Sequence, residues 1–113
     1  MTISRKIAMA VLVSTFLGGT AGSAMADTWQ RDHPRRAEVT HRLARQNIRI
    51  AHDLATGKIT RGEATRLHRD DRMVRSQERF DASLDGGHIT KPEQRALNQD
   101  ENAISRRIYR DAH

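Results

Sequence analysis

A segment that occurs twice, thirty residues apart, does most to limit what this chain can fold into. Leu54-Ala-Thr-Gly57-Lys-Ile59-Thr60-Arg-Gly-Glu63 is matched by Leu84-Asp-Gly-Gly87-His-Ile89-Thr90-Lys-Pro-Glu93, and Leu67 and Val74 downstream are matched by Leu97 and Ile104. Each copy spells a helix end, a turn and a helix start. Gly57 and Gly87 accept the left-handed conformation that closes a helix. Thr60 and Thr90 are N-caps, and Glu63 and Glu93, three residues on, complete capping boxes. Helix boundaries are therefore written into the sequence.

Between these marks the apolar residues recur at helical spacing. A first helix is expected from Arg35 to Ala55, with Val39, Leu43, Ile50 and Leu54 on its inner side. A second runs from Arg61 to Leu84, with Ala64, Leu67, Val74 and either Met73 or Phe80. A third begins after Thr90, has Pro92 in its first turn where the missing N–H costs little, and carries Leu97, Ile104, Ile108 and, as a further candidate, Tyr109. Short connections between such helices make successive ones antiparallel. The expected fold is all-α, an up-down-up three-helix bundle about 30 Å long at 1.5 Å per residue.

The apolar stripes are thin and broken at mid-length. Gln46 and Asn47 interrupt the first, Asp70 and Asp71 the second, and Asp100 and Glu101 the third, at positions that a regular heptad fills with core residues. Either the bundle carries a polar layer, or the chain forms extended helical hairpins that dimerise.

Residues 1–26 have the parts of a secretory signal: Arg5 and Lys6, an apolar run from Ile7 to Leu17, and small residues ending Ala24-Met25-Ala26. The run is about eleven residues, short of the ~20 that a spanning helix needs, so cleavage after Ala26 and a periplasmic or secreted location are expected, with no integral membrane span after processing. Residues 27–34, which include Trp29, show no periodicity and read as a flexible N-terminal arm. Residues 35–113 form the helical domain. The 87 residues after Ala26 make a small single domain. With no cysteine, disulfides and thiolate metal sites are excluded, and the domain depends on its core.

Beyond residue 26 the chain keeps 18 basic and 14 acidic side chains, a net charge of +4, and only Lys58 and Lys91 of the basic ones are lysines. Arginine favours bidentate contact with carboxylate, phosphate or sulfate, which points to a protein or an anionic envelope component as partner. Charges of both signs are interspersed, as on a solvated helical surface. Nucleic acid is not expected, because aromatic residues do not interleave with the basic ones.

Two constellations have the residue types of a divalent-metal site. Asp81-x-Ser83-x-Asp85-Gly86, with Ile89 and Glu93 beyond, is similar to part of an EF-hand calcium loop. Gly87 lengthens it by one residue, which moves Glu93 from the twelfth place to the thirteenth. The second constellation is the polar layer, where His68 and Asp71 share a helix face and Glu101, Asp100 and Asn47 approach from neighbouring helices; an imidazole with carboxylates suits a Ca2+ or Zn2+ ion. Ser76, Ser83 and Ser105 lack the setting of a nucleophile, and no glycine-rich phosphate loop follows a strand. A non-catalytic binding protein without cofactor is the leading reading, and a divalent-metal protein the alternative.

The two turns, the Asp85-Gly-Gly-His-Ile-Thr90 segment and the Ser105-Arg-Arg-Ile108-Tyr109 ending together resemble small exported proteobacterial helical-repeat proteins of unassigned function. These share two Gly-x-Ile/Leu-Thr-x-x-Glu turns separated by a polar helix. The resemblance covers most of residues 34–109 and implies export and a helical repeat fold. It brings no catalytic residues with it.

Overall fold

The computed structural model describes Met25 and residues 27–113. The export signal read in residues 1–26 lies, Met25 apart, outside the described residues. Residues 27–32, read from the sequence as an irregular arm, are helical. They belong to a separate unit from His33–His113, and it is the latter that forms the bundle.

Three helices make up that unit: α1 (Pro34–Ala55), α2 (Arg61–Leu84) and α3 (Lys91–Ala112). Each packs against the other two. No strand occurs among the described residues, so the all-α bundle is formed within one chain. Side-chain bonds give the directions. Arg36 near the start of α1 pairs with Glu78 near the end of α2, whereas Gln46 and Arg49 of α1 bond Glu101 and Ser105 of α3, so that both helices advance together. Hence α1 and α2 are antiparallel, α1 and α3 parallel, and the path is up-down-up. Among the described residues no helix is long and apolar enough to cross a membrane.

Both repeated turns end one helix and start the next as their residues dictate. At the first, Lys58 N–H bonds the Asp53 carbonyl (2.8 Å) and Gly57 N–H the Leu54 carbonyl (3.1 Å), the paired bonds of a Schellman motif, with Gly57 at φ 76°. Thr60 then accepts from Glu63 N–H (3.1 Å) while Glu63 accepts from Thr60 N–H (2.8 Å). Thr90 and Glu93 repeat this capping box at 3.3 and 2.7 Å. The second turn differs in one respect. Gly87 N–H bonds the Ala82 carbonyl at 2.8 Å, which puts Gly86 (φ 63°) where Gly57 stands in the first turn and Gly87 (φ 96°) where Lys58 stands, so that one more residue separates the helix end from the next cap. Ile59 and Ile89 of the two turns are buried with the core.

The inward positions follow heptad spacing in all three helices: Val39, Leu43, Gln46, Ile50 and Asp53; Ala64, Leu67, Asp71, Val74, Glu78 and Asp81; Leu97, Glu101, Ile104 and Ile108. Three expectations are corrected by this register. Met73 and Phe80 are both exposed, because Asp71 and Glu78 take the inner places between Leu67, Val74 and Ala82. Leu54 and Tyr109 also lie outward, displaced by Asp53 and Ile108.

Candidate functional site

The break in the three apolar stripes is a real layer inside the bundle. Gln46, Asp71 and Glu101 are buried, the last two at 2 % and 0 % exposure. Gln46 Nε2 donates to the Glu101 backbone carbonyl at 2.8 Å. Among the described residues, Gln46 Oε1 and all four carboxylate oxygens of Asp71 and Glu101 lack a hydrogen-bond partner. Arg42 Nη1 stands 3.9 Å from Glu101 Oε1, too far for a hydrogen bond, and its other bonds go to the Asn98 carbonyl and Asn102 Oδ1.

A carboxylate without water or donors is costly to ionise. Burial, reinforced by the neighbouring Asp70 charge, pushes Asp71 up to about 7. Burial pushes Glu101 up to about 8, with Glu38 and Asp71 adding to the effect and Arg42 and Arg45 opposing it without cancelling it. The layer thus carries protons near neutral pH. His68 stands apart from these oxygens in its bonding: it is half-buried, and its Nδ1 meets Asn47 Oδ1 at 2.9 Å.

The second turn brings together part of the set read from its sequence. Asp85 and Glu93 are neighbours. A hydrogen bond with Glu93 raises the Asp85 carboxyl above its ordinary range, and the bond from Thr90 N–H lowers that of Glu93. Asp81 and Ser83, however, still belong to α2. Asp81 Oδ1 accepts from Gln77 Nε2 at 2.9 Å, and the Ser83 hydroxyl donates to the Phe80 carbonyl at 2.6 Å. Among the described residues no group of three or more His, Asp or Glu side chains is placed to hold a metal ion. The turn itself is tied to the start of α1: Arg36 grips both Glu78 oxygens and the Gly87 carbonyl, Arg35 donates to the Ile89 carbonyl at 3.4 Å, and the His33 and His88 rings stack at 4.6 Å.

The outer side of α2 is the feature that the sequence reading missed. Met73, Phe80 and Leu84 are 65 %, 58 % and 65 % exposed and share one face with Gln77 between them. Arg66, Arg69 and Arg72, also exposed, precede and flank them. These arginines make no ion pair among the described residues. The acids of α2 face elsewhere or are engaged: Asp71, Glu78 and Asp81 are buried, Glu63 caps Thr60, and Asp70 holds Arg107 of α3 at 2.7 Å. Open depressions of about 540 and 280 Å³ lie on either side of Met73. A third, of about 360 Å³, is rimmed by Arg66, Arg69, Arg107 and Arg110 together with Asp70 and Asp111. The heptad count from Ala64 through Leu67, Asp71 and Val74 would have shown this face, since it sends Met73, Phe80 and Leu84 outward.

No family model, no curated protein and no solved structure matches the chain.

Proposed function

We propose that the chain is a non-catalytic binding protein, exported after cleavage following Ala26, that recognises an anionic partner through its arginines. The supporting observation is the sorting of charge on α2. Its acids are buried or bonded within the bundle, while Arg66, Arg69 and Arg72 face solvent and form no ion pair among the described residues. Arginines that serve only solubility are usually answered by acids on the same helix; here the acids of α2 itself are buried, capping or paired to α3. The one constellation of strongly shifted carboxyls, Asp71 with Glu101, sits inside the core, whereas a general acid must reach the atom it protonates.

Charge reversal tests the reading. Arg69→Glu/Arg72→Glu should abolish retention on a polyglutamate surface, and the equal reversal Arg95→Glu/Arg106→Glu on α3 should leave most of it. Equal losses would mean that net charge alone acts. Export is checked separately by the intact mass of protein recovered from periplasm, where a species retaining Met1 would contradict cleavage.

A further inference from the structure

Resting on that reading, we infer that the outer face of α2, from Arg66 to Leu84, is a docking surface for an acidic amphipathic helix of a partner protein. Met73, Phe80 and Leu84, with Gln77, follow the four-three-four spacing of a coiled-coil seam. This is a second seam on a helix whose first seam is already in the core, and nothing in the bundle covers it. Arginine, methionine and aromatic residues are also the types enriched where proteins bind one another. Met73 stands between two depressions, one shared with Phe80 and Arg69 and the other with Val74 and Ile104 in the groove between α2 and α3. A ridge with a hollow on each side is the shape that receives side chains from a facing helix.

Polarity along the face defines the partner. Arg66, Arg69 and Arg72 occupy its amino-terminal part, and Phe80 and Leu84 its carboxy-terminal part, with Met73 between. The span is 19 residues, about 27 Å as a helix. A matching helix carries apolar residues at i, i+3 or i+4, and i+7 over the second part and Asp or Glu over the first, where arginine binds carboxylate bidentately.

A second copy of the chain fits poorly. Two α2 faces side by side in parallel set arginines on arginines, and the antiparallel, two-fold arrangement covers each arginine end with the partner's apolar end. Either way guanidinium groups lose water without gaining a counter-charge. An anionic bilayer fits less well than a helix, because exposed Asp100 borders the groove beside Met73 and the hollows flanking Met73 would have no side chains to fill them.

The test uses three fluorescent probes with the chain lacking residues 1–26: a 20-residue peptide with Leu at heptad positions in one half and Glu in the other, polyglutamate of equal length, and phosphatidylglycerol vesicles. The amphipathic peptide should bind most tightly and weaken as salt is raised. Phe80→Ser and Arg69→Glu should each weaken it about tenfold, the scale of losing an anchor at an interface, while Ile48→Ser, at an equally exposed apolar residue of α1 (70 %), should not. If polyglutamate binds as tightly and Phe80→Ser changes nothing, the docking surface is overturned and anion recognition survives. Vesicle binding that needs Phe80 and excludes the peptide overturns it in favour of a membrane. Sedimentation showing a dimer that Phe80→Ser dissociates overturns it in favour of a second copy. If no probe binds, both readings fall.

Discussion

The two faces of α2 have opposite chemistry on one 24-residue helix. Its inner face carries Asp71, Glu78 and Asp81 among Leu67, Val74 and Ala82, and its outer face carries Met73, Phe80 and Leu84 among arginines. A helix selected only for packing would reverse this, with acids in water and the large apolar groups inside. The inner acids differ among themselves in a telling way. Glu78 is fully buried but held by Arg36 at two oxygens, whereas Asp71 is buried with neither oxygen bonded. One is an ion pair that joins two helices, and the other holds its proton up to about pH 7.

The largest effect should come from the inner face. Arg36→Ala strands Glu78 in the core and should cost about 3–5 kcal/mol, the usual loss on breaking a buried pair, read from urea denaturation. A loss below about 1 kcal/mol would mean that water reaches Glu78 once the arginine is gone.

The polar layer should show its character through pH. Asp71 and Glu101 have folded-state values of about 7 and about 8 against ordinary values of 3.8 and 4.5. Raised carboxyls bind protons more tightly folded than unfolded, so their contribution is full below about pH 4 and is lost as pH rises through 7 to 8. Stability should therefore fall by several kcal/mol between about pH 4.5 and 8, the reverse of a domain held by exposed carboxylate pairs. Glu101→Leu removes a buried carboxyl without partners; at pH 8 it should stabilise the bundle by about 1–4 kcal/mol and flatten the pH profile. A wild-type profile that rises from pH 5 to 8 would contradict a protonated layer.

At the helix starts, Thr60→Ala and Thr90→Ala should each cost about 1 kcal/mol, or roughly 4–8 °C in melting temperature for a domain of this size. The outer face should give the smallest change. Met73→Ser and Phe80→Ser should alter stability by no more than about 0.5 kcal/mol, as for exposed positions without fold contacts. A loss of 2 kcal/mol from Phe80→Ser would place that ring in the core after all and remove the contrast between the faces.

Helix ends were the most legible part of the sequence, because Gly57, Thr60, Glu63, Thr90 and Glu93 each act on backbone groups within a few residues. Register was less so. Choosing Met73 or Phe80 as an inner residue follows hydrophobicity, but the helix obeys heptad geometry, and that geometry puts Glu78 inside because Arg36, 42 residues earlier, supplies its counter-charge. Such a pairing has no local signature. The polar layer was visible as interruptions in three stripes, yet the separation of His68 from Asp71 depends on Asn47 offering it a bond from α1. The two turns match in length and pattern in the sequence; that Gly86 takes the place of Gly57 needed the hydrogen bond from Gly87 to Ala82.

The division of labour between the faces of α2 is most directly tested by mapping backbone amide shifts in the NMR spectrum as the acidic amphipathic peptide is titrated in. Shifts are expected at Arg66, Arg69, Arg72, Met73, Phe80 and Leu84, with none at Ile48 of α1 or Tyr109 near the end of α3. Shifts centred on Ile48 or Tyr109, or saturation without any change along α2, would contradict it.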